Sequence, residues 1–148
     1  MIRFAQKEDM SSALHLIQEL ADFENEPDAV VVTEDDLIRD GFGPNSIFHC
    51  LVAEDEGKVV GMALFYPRYS TWKGPTFHLE DLIVTQSQRG KGFGKDLYTA
   101  FIAFAAENKL KELNGWFWIG IPTQWIFIKE AEQMFWMIGK QFKWTNRL

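Results

Sequence analysis

The chain has 148 residues, enough for one buried core and too few for two. Its formal net charge of −6 argues against nucleic acid and suits a cationic amine partner. No apolar run is long enough to span a membrane and no leader pattern opens the chain, so the expectation is a cytoplasmic protein without a membrane partner. A single cysteine, Cys50, excludes an internal disulfide, and its apolar setting reads as a core thiol.

In chain order the elements alternate as in an α/β domain covering residues 1–148. Ile2 to Ala5 reads as a short strand. Asp9 can cap a helix whose apolar residues Ala13, Leu14, Ile17, Leu20 and Ala21 have helical spacing, with Pro27 beyond its end. Thr33 and Asp36 form a capping-box pattern for a second helix, closed by Gly41 or Gly43. Phe48 to Glu54 and Val59 to Tyr66 read as strands joined by the turn DEGK. Thr76 to Val84 is the next strand, and Gly92 to Asn108 a helix burying Leu97, Phe101, Phe104 and Ala105. The tail predicts a strand from Gly115 to Ile121, a helix from Gln124 to Ile138 capped by Thr123 and ended by Gly139, and a strand from Gln141 to Trp144.

The segment LEDLIVTQSQRGKGFGK, Leu79 to Lys95, carries the chemistry. An apolar strand runs through a polar stretch, Thr85 to Arg89, into a glycine-rich turn that opens a helix. Such a turn aims unpaired backbone N–H groups at one point, where the helix dipole favours an anion. Arg89, Lys91 and Lys95 add positive charge, so a pyrophosphate suits the spot. A dinucleotide fingerprint would need the glycines directly after the strand, and a Walker loop would end in Gly-Lys-Ser/Thr; neither pattern is met. A glycine turn with a purely structural role stays open as an alternative.

Arg89, Gly92 and Gly94 resemble the acyl-CoA turn of the GCN5-related N-acetyltransferases (GNAT), and the resemblance runs from Met1 to about Asn114. The stretches IRFAQKEDMSSALHLIQELADFE, TEDDLIRDGFG, FHCLVAEDEGKVVGMALFY and YSTWKGPTFHLEDLIV are similar to the diamine and thialysine acetyltransferase branch. The resemblance implies the GNAT fold, a mixed central sheet flanked by helices, here with an atypical C-terminal strand–helix–strand. It implies acetyl-CoA as cosubstrate and a small primary amine (a polyamine, thialysine or similar) as acceptor, joined by direct transfer in a ternary complex. It also implies a homodimer. The turn Arg89, Gly90, Lys91, Gly92, Phe93, Gly94 and Lys95 would hold the pyrophosphate. Backbone groups of Leu82, Ile83 and Val84 would meet the acyl and pantetheine part, on a strand splayed from its neighbour.

Acetylating a primary amine requires removing a proton first, because an amine of pKa near 10.4 is only roughly 0.1% neutral or less at pH 7. Glu80 is the expected base or amine-orienting carboxylate. Strand alternation predicts Glu80 on one face with His78, and Asp81 on the other. The resemblance places Glu80, Asp81 and Trp72 at the amine end of the site, with Phe23 and Glu24 as further pocket residues. Ser70 stands where the diamine enzymes carry an acidic residue, which favours a thialysine-type acceptor over spermidine. The three histidines lack metal-ligand spacing, so no metal is expected.

The resemblance stops at the tail. Five of the six tryptophans lie in the last 34 residues, and no tyrosine follows Tyr98. The family pattern would have a strand ending in Trp-Asn and a helix carrying Phe-Tyr-Lys, whose tyrosine is its proton donor. Read one base out of frame from the codon of Asn114, the tail can spell WVVLDWNTNAVDFYKRSGANVLDDW. Several of these residues are forced, among them Leu-Asp from Phe117–Trp118–Ile119. The tail therefore reads as the family ending after loss of one nucleotide. Weak catalysis follows, and the alternative reading is a catalytically impaired acyl-CoA-binding protein.

Overall fold

In the computed structural model, residues 1–72 and 74–108 are described, with the backbone of two short strands at 115–117 and 126–128. Strands β1 (Ile2–Phe4), β2 (His49–Asp55), β3 (Lys58–Ser70) and β4 (Gly74–Val84) form one sheet in that order, each pair antiparallel. The expected mixed character is not seen, because every pairing among the described residues is antiparallel. The β3–β4 hairpin extends further than its apolar stretches predicted. Ladder pairing continues out to Ser70 opposite Gly74, and Thr76 Oγ1 donates to the Arg68 carbonyl at 3.3 Å.

Alternation along these strands feeds two cores. On one face Leu51, Ala63, Phe65, Phe77 and Leu79 pack against Leu97, Phe101 and Ala105 of α3 (Phe93–Glu107). On the other, Val52, Met62 and Ile83 meet Met10, Ala13 and Leu16 of α1 (Met10–Phe23) and Leu37 of α2 (Glu34–Phe42). Phe65 and Met62 are fully buried, and each such side chain contributes about 1.5–3 kcal/mol relative to exposure. The sheet is thus covered by helices on both faces.

Local chemistry explains the helix starts. Thr33 Oγ1 accepts from the Asp36 N–H at 3.2 Å, and Asp36 accepts in return from the Thr33 N–H at 3.0 Å, the expected capping box. Gly43, not Gly41, ends α2, its N–H bonding the Arg39 carbonyl; Gly41 lies inside the helix, where a Cβ would fall 2.6 Å from the Phe48 ring. Asp9 stands at the predicted N-cap position of α1, but its side chain makes no capping bond to that helix. Its carboxylate is taken by Arg3, at 2.7 and 3.0 Å, and by the Gln6 N–H at 2.7 Å. It stands in a 3-10 turn, Lys7–Asp9, that joins β1 to α1. The Arg3 bond holds the Asp9 carboxyl below its ordinary range despite partial burial.

In the tail, β5 (Gly115–Phe117) lies within the predicted strand, whereas β6 (Ile126–Ile128) is a strand where a helix was expected. The two pair antiparallel. A β-branched, aromatic, β-branched triplet favours extension over helix once a partner strand is available. The rest of the predicted helix and the final strand lie outside the described residues. β5 runs beside β4 but belongs to a separate sheet.

Candidate active site

The register of β3 and β4 slips at one point. Leu64 pairs with Asp81 and Phe65 with Leu79, which leaves Glu80 as an extra residue, a β-bulge. Because Tyr66 and Leu64 share a face of β3, their partners His78 and Asp81 share a face of β4. This corrects the simple alternation, which set Asp81 opposite His78. The bulge gathers Tyr66, His78, Glu80 and Asp81 on the α1 side of the sheet.

Glu80 is exposed there, and its Oε2 accepts from Tyr66 Oη at 2.9 Å. His78 Nε2 approaches the same oxygen at 3.5 Å, and the Tyr66 and His78 rings lie 5.3 Å apart. Burial pushes the His78 imidazole below its ordinary pKa, partly offset by Glu80. Its Nδ1 is buried with no partner among the described residues, which further disfavours a second proton. A neutral His78 with its proton on Nε2 suits this setting. Burial pushes the Asp81 carboxyl up to about 6, with the charges of Glu80 and Glu24 adding to the shift.

Beyond Val84 the chain enters a 3-10 turn (Gln86–Gln88) and then the glycine turn. Gly90 and Gly92 have φ of +80° and +92°, with open space where a Cβ would stand. Gly92 is the N-cap of α3 and has no side chain to satisfy the first-turn amides of Phe93, Gly94 and Lys95. Those amides, with Lys91 and Lys95 at the same end, fit a pyrophosphate. Lys91 donates to Gln88 Oε1 at 2.5 Å and lies 3.8 Å from Asp55, which ties the turn to the β2–β3 connection.

Arg89 faces α1. Its Nε donates to the Val84 carbonyl at 2.9 Å, its guanidinium lies 5.7 Å from the centre of the Phe23 ring, and its Nη2 is 4.0 Å from Glu19. Leu82, Ile83 and Val84 pair with Ala63, Met62 and Gly61 along one edge of β4. The sheet ends at β4, so the other edge borders no hydrogen-bonded strand of that sheet among the described residues. It can offer backbone groups to a ligand, except at the Val84 carbonyl, which Arg89 occupies.

Phe23 and Glu24 close α1 beside both parts of the site, Phe23 under Arg89 and Glu24 acting on Asp81. Trp72 is not brought to Glu80 within one chain. It stands at the hairpin tip, 91% exposed, and the seven residues from Gly74 to Glu80 span about 20 Å of strand. Sequence reading missed Tyr66 and Glu19. Tyr66 becomes visible only through cross-strand register. Glu19 had one signal, its position four residues before Phe23 on the same helical face. Among the described residues, no group of three or more His, Cys, Asp or Glu could hold a metal ion, and no helix is long and apolar enough to cross a membrane.

Residues 12–119 match the Acetyltransferase (GNAT) family pattern. The chain is 40% identical over 122 residues to thialysine N-epsilon-acetyltransferase of Bos taurus, covering 77% of this chain and 72% of that protein. It is 45% identical over 103 residues to spermidine/spermine N(1)-acetyltransferase-like protein 1 of Homo sapiens, covering 65% of this chain but only 15% of that much longer protein. The match to the Sus scrofa thialysine enzyme spans 62% of that relative. Among solved structures, a mutant Bacillus halodurans protein superposes with a TM-score of 0.68 at 18% identity, covering 94% of this chain and 91% of that one. An aminoglycoside acetyltransferase from an uncultured soil metagenomic sample, in complex with sisomicin, gives 0.64 at 19% identity, covering 97% and 86%. These two support the fold alone. With the family pattern spanning most of the chain and two-fifths identity to a curated relative, the chain belongs to the GNAT acetyltransferase family.

Proposed function

We propose that the protein transfers an acetyl group from acetyl-CoA to a small primary amine of the polyamine or thialysine kind, directly, within a ternary complex. The observation that carries this reading is the bulge at Glu80, which sets an exposed carboxylate on the strand that leads into the anion-binding turn. Glu80, Asp81 and Glu24 give the amine end a negative field that attracts an ammonium group. Glu80, oriented by Tyr66, accepts a proton from the amine, directly or through water. The neutral amine then attacks the thioester carbonyl. Backbone N–H groups on the edge of β4 away from β3 are suited to stabilise the resulting oxyanion, and the first turn of α3 holds the pyrophosphate. The adduct nitrogen sheds its extra proton to solvent, the C–S bond breaks, and the thiolate takes up a proton.

That last proton lacks its family donor, because no tyrosine follows Tyr98. Turnover is therefore expected to be slow, and we ascribe the tail beyond Asn114 to a one-base loss in the gene. The family resemblance supports a cytoplasmic homodimer, and the net charge argues against a nucleic-acid partner. An amine panel including thialysine and spermidine, with CoA release followed by a thiol reagent, tests the reading. Amine-dependent CoA release supports it. CoA binding without release under any amine would leave the acyl-CoA-binding alternative instead.

A further inference from the structure

The β4–α3 connection is held from outside by one side chain of α1. Glu19 Oε2 accepts from Thr85 Oγ1 at 2.8 Å, and its Oε1 accepts from the Gln86 N–H at 2.8 Å. The same Oε1 lies 4.0 Å from Arg89 Nη2. Thr85 and Gln86 are the residues where the strand stops and the turn toward Gly90 and Gly92 begins. One carboxylate therefore meets both ends of the segment Thr85 to Arg89. One helical turn later on α1, Phe23 carries the Arg89 guanidinium on its ring, and Arg89 in turn donates to the Val84 carbonyl.

We propose that Glu19 is a positioning residue for the acyl-CoA turn, bracing the Thr85–Arg89 segment against α1 so that the turn is shaped before its ligand arrives. The inference rests on the reading of that turn as the CoA site. Segments between a strand and a glycine-rich turn lose much conformational freedom on binding, and a brace present in the free protein reduces that loss. Arg89 belongs to the brace, since its Nε and one Nη face the protein and only the remaining guanidinium edge is left for a phosphate. The brace also ties the turn to the helix end that carries Phe23 and Glu24, so the two halves of the site share one support.

Isothermal titration of the full chain with CoA tests this. Glu19→Ala should weaken CoA binding about tenfold, the loss of two hydrogen bonds beside a charged group. Glu19→Gln should stay within about threefold of the unsubstituted chain, because the amide can still accept from Gln86 and donate to the Thr85 hydroxyl. Thr85→Val removes one of the two bonds without changing a residue of α1 and should weaken binding about threefold, with a melting temperature lowered by only a few degrees. Glu26→Ala, an exposed residue beyond the end of α1, serves as the control and should bind as the unsubstituted chain does. If Glu19→Ala does not fold, Thr85→Val decides. A folded Glu19→Ala chain that binds CoA normally overturns the brace while leaving the CoA site standing, as does a Glu19→Gln chain as weak as Glu19→Ala. An unsubstituted chain that does not bind CoA at all removes the CoA reading and the brace together.

Discussion

Tyr66 Oη donates a 2.9 Å hydrogen bond to Glu80 Oε2 across the β3–β4 pair, although the two residues are not register partners. The bulge makes this possible by pushing Glu80 out of the ladder toward the tyrosine. Glu80→Gln should lower kcat/KM for the amine by about 10²–10⁴-fold, the usual range for losing a general base, while CoA binding persists. Tyr66→Phe keeps the ring and loses the bond. It should reduce kcat several-fold with no change in the acetyl-CoA KM. Steady-state kinetics of both variants check this, and normal turnover in Glu80→Gln would remove that residue from the mechanism.

Asp81 is an acid whose pKa is raised on folding to about 6, first by desolvation and then by Glu80 and Glu24. The native state therefore holds the proton more tightly than the unfolded chain does. Stability from this group is full below its ordinary pKa near 4 and is lost as pH rises through 6. Asp81→Asn should raise the melting temperature at pH 7.5, with a gain on the order of 1–3 kcal/mol that shrinks toward pH 4. Thermal melts across that range measure it. Equal melting shifts at both ends of the range would contradict the buried-acid description.

His49 runs the other way. Its ring packs against Phe65, Phe77 and Phe104 at centroid distances of 5.5, 5.8 and 5.1 Å, and burial lowers its pKa. The unfolded chain then binds a proton more readily than the native one. Stability is complete above about 6.5 and declines as pH falls below it. His49→Phe should flatten the acid side of the stability curve. His78 is also lowered, so a residual slope should remain in that variant.

Two glycines should respond differently to alanine. At Gly92 a Cβ meets nothing within 4 Å, but φ is +92°, so Gly92→Ala costs about 1–2 kcal/mol of backbone strain and should weaken CoA binding. Gly92→Asp adds a negative charge beside the proposed pyrophosphate position and should weaken binding further. At Gly61 the backbone is ordinary, but a Cβ would lie 2.8 Å from the Ile83 carbonyl oxygen. Gly61→Ala should destabilise the sheet by about 1–3 kcal/mol. Chemical denaturation and CoA titration separate the two kinds of damage.

Restoring one base near the codon of Asn114 should return the tyrosine that the family pattern places in the tail. The repaired chain is expected to turn over acetyl-CoA and amine at least about tenfold faster than the present one, the scale of a recovered acid catalyst. Equal rates would show that the present tail already supplies the proton or that the donor is not needed.

Periodicity and capping chemistry made α1, α2, α3 and the four sheet strands legible, because their apolar residues recur at the periods that two helix-covered faces demand. The turn from Arg89 to Lys95 was legible for a local reason: positive φ at Gly90 and Gly92 and a helix N-terminus are properties of a few consecutive residues. Glu80 and Asp81 were legible as residues but not in their arrangement. A bulge depends on how two strands slide against one another, and no one-strand pattern contains that information. The same holds for the partners that arrive from elsewhere. Arg3 engaged the Asp9 carboxylate in place of a helix cap, Tyr66 found Glu80, and Glu19 reached Thr85 and Gln86 across 66 and 67 positions of chain. In the tail, the Ile126–Ile128 triplet was free to be helix or strand, and pairing with Gly115–Phe117 decided it. Short-range chemistry thus resides in the sequence itself, while which carboxylate meets which donor is set only when packing brings distant segments within hydrogen-bond reach.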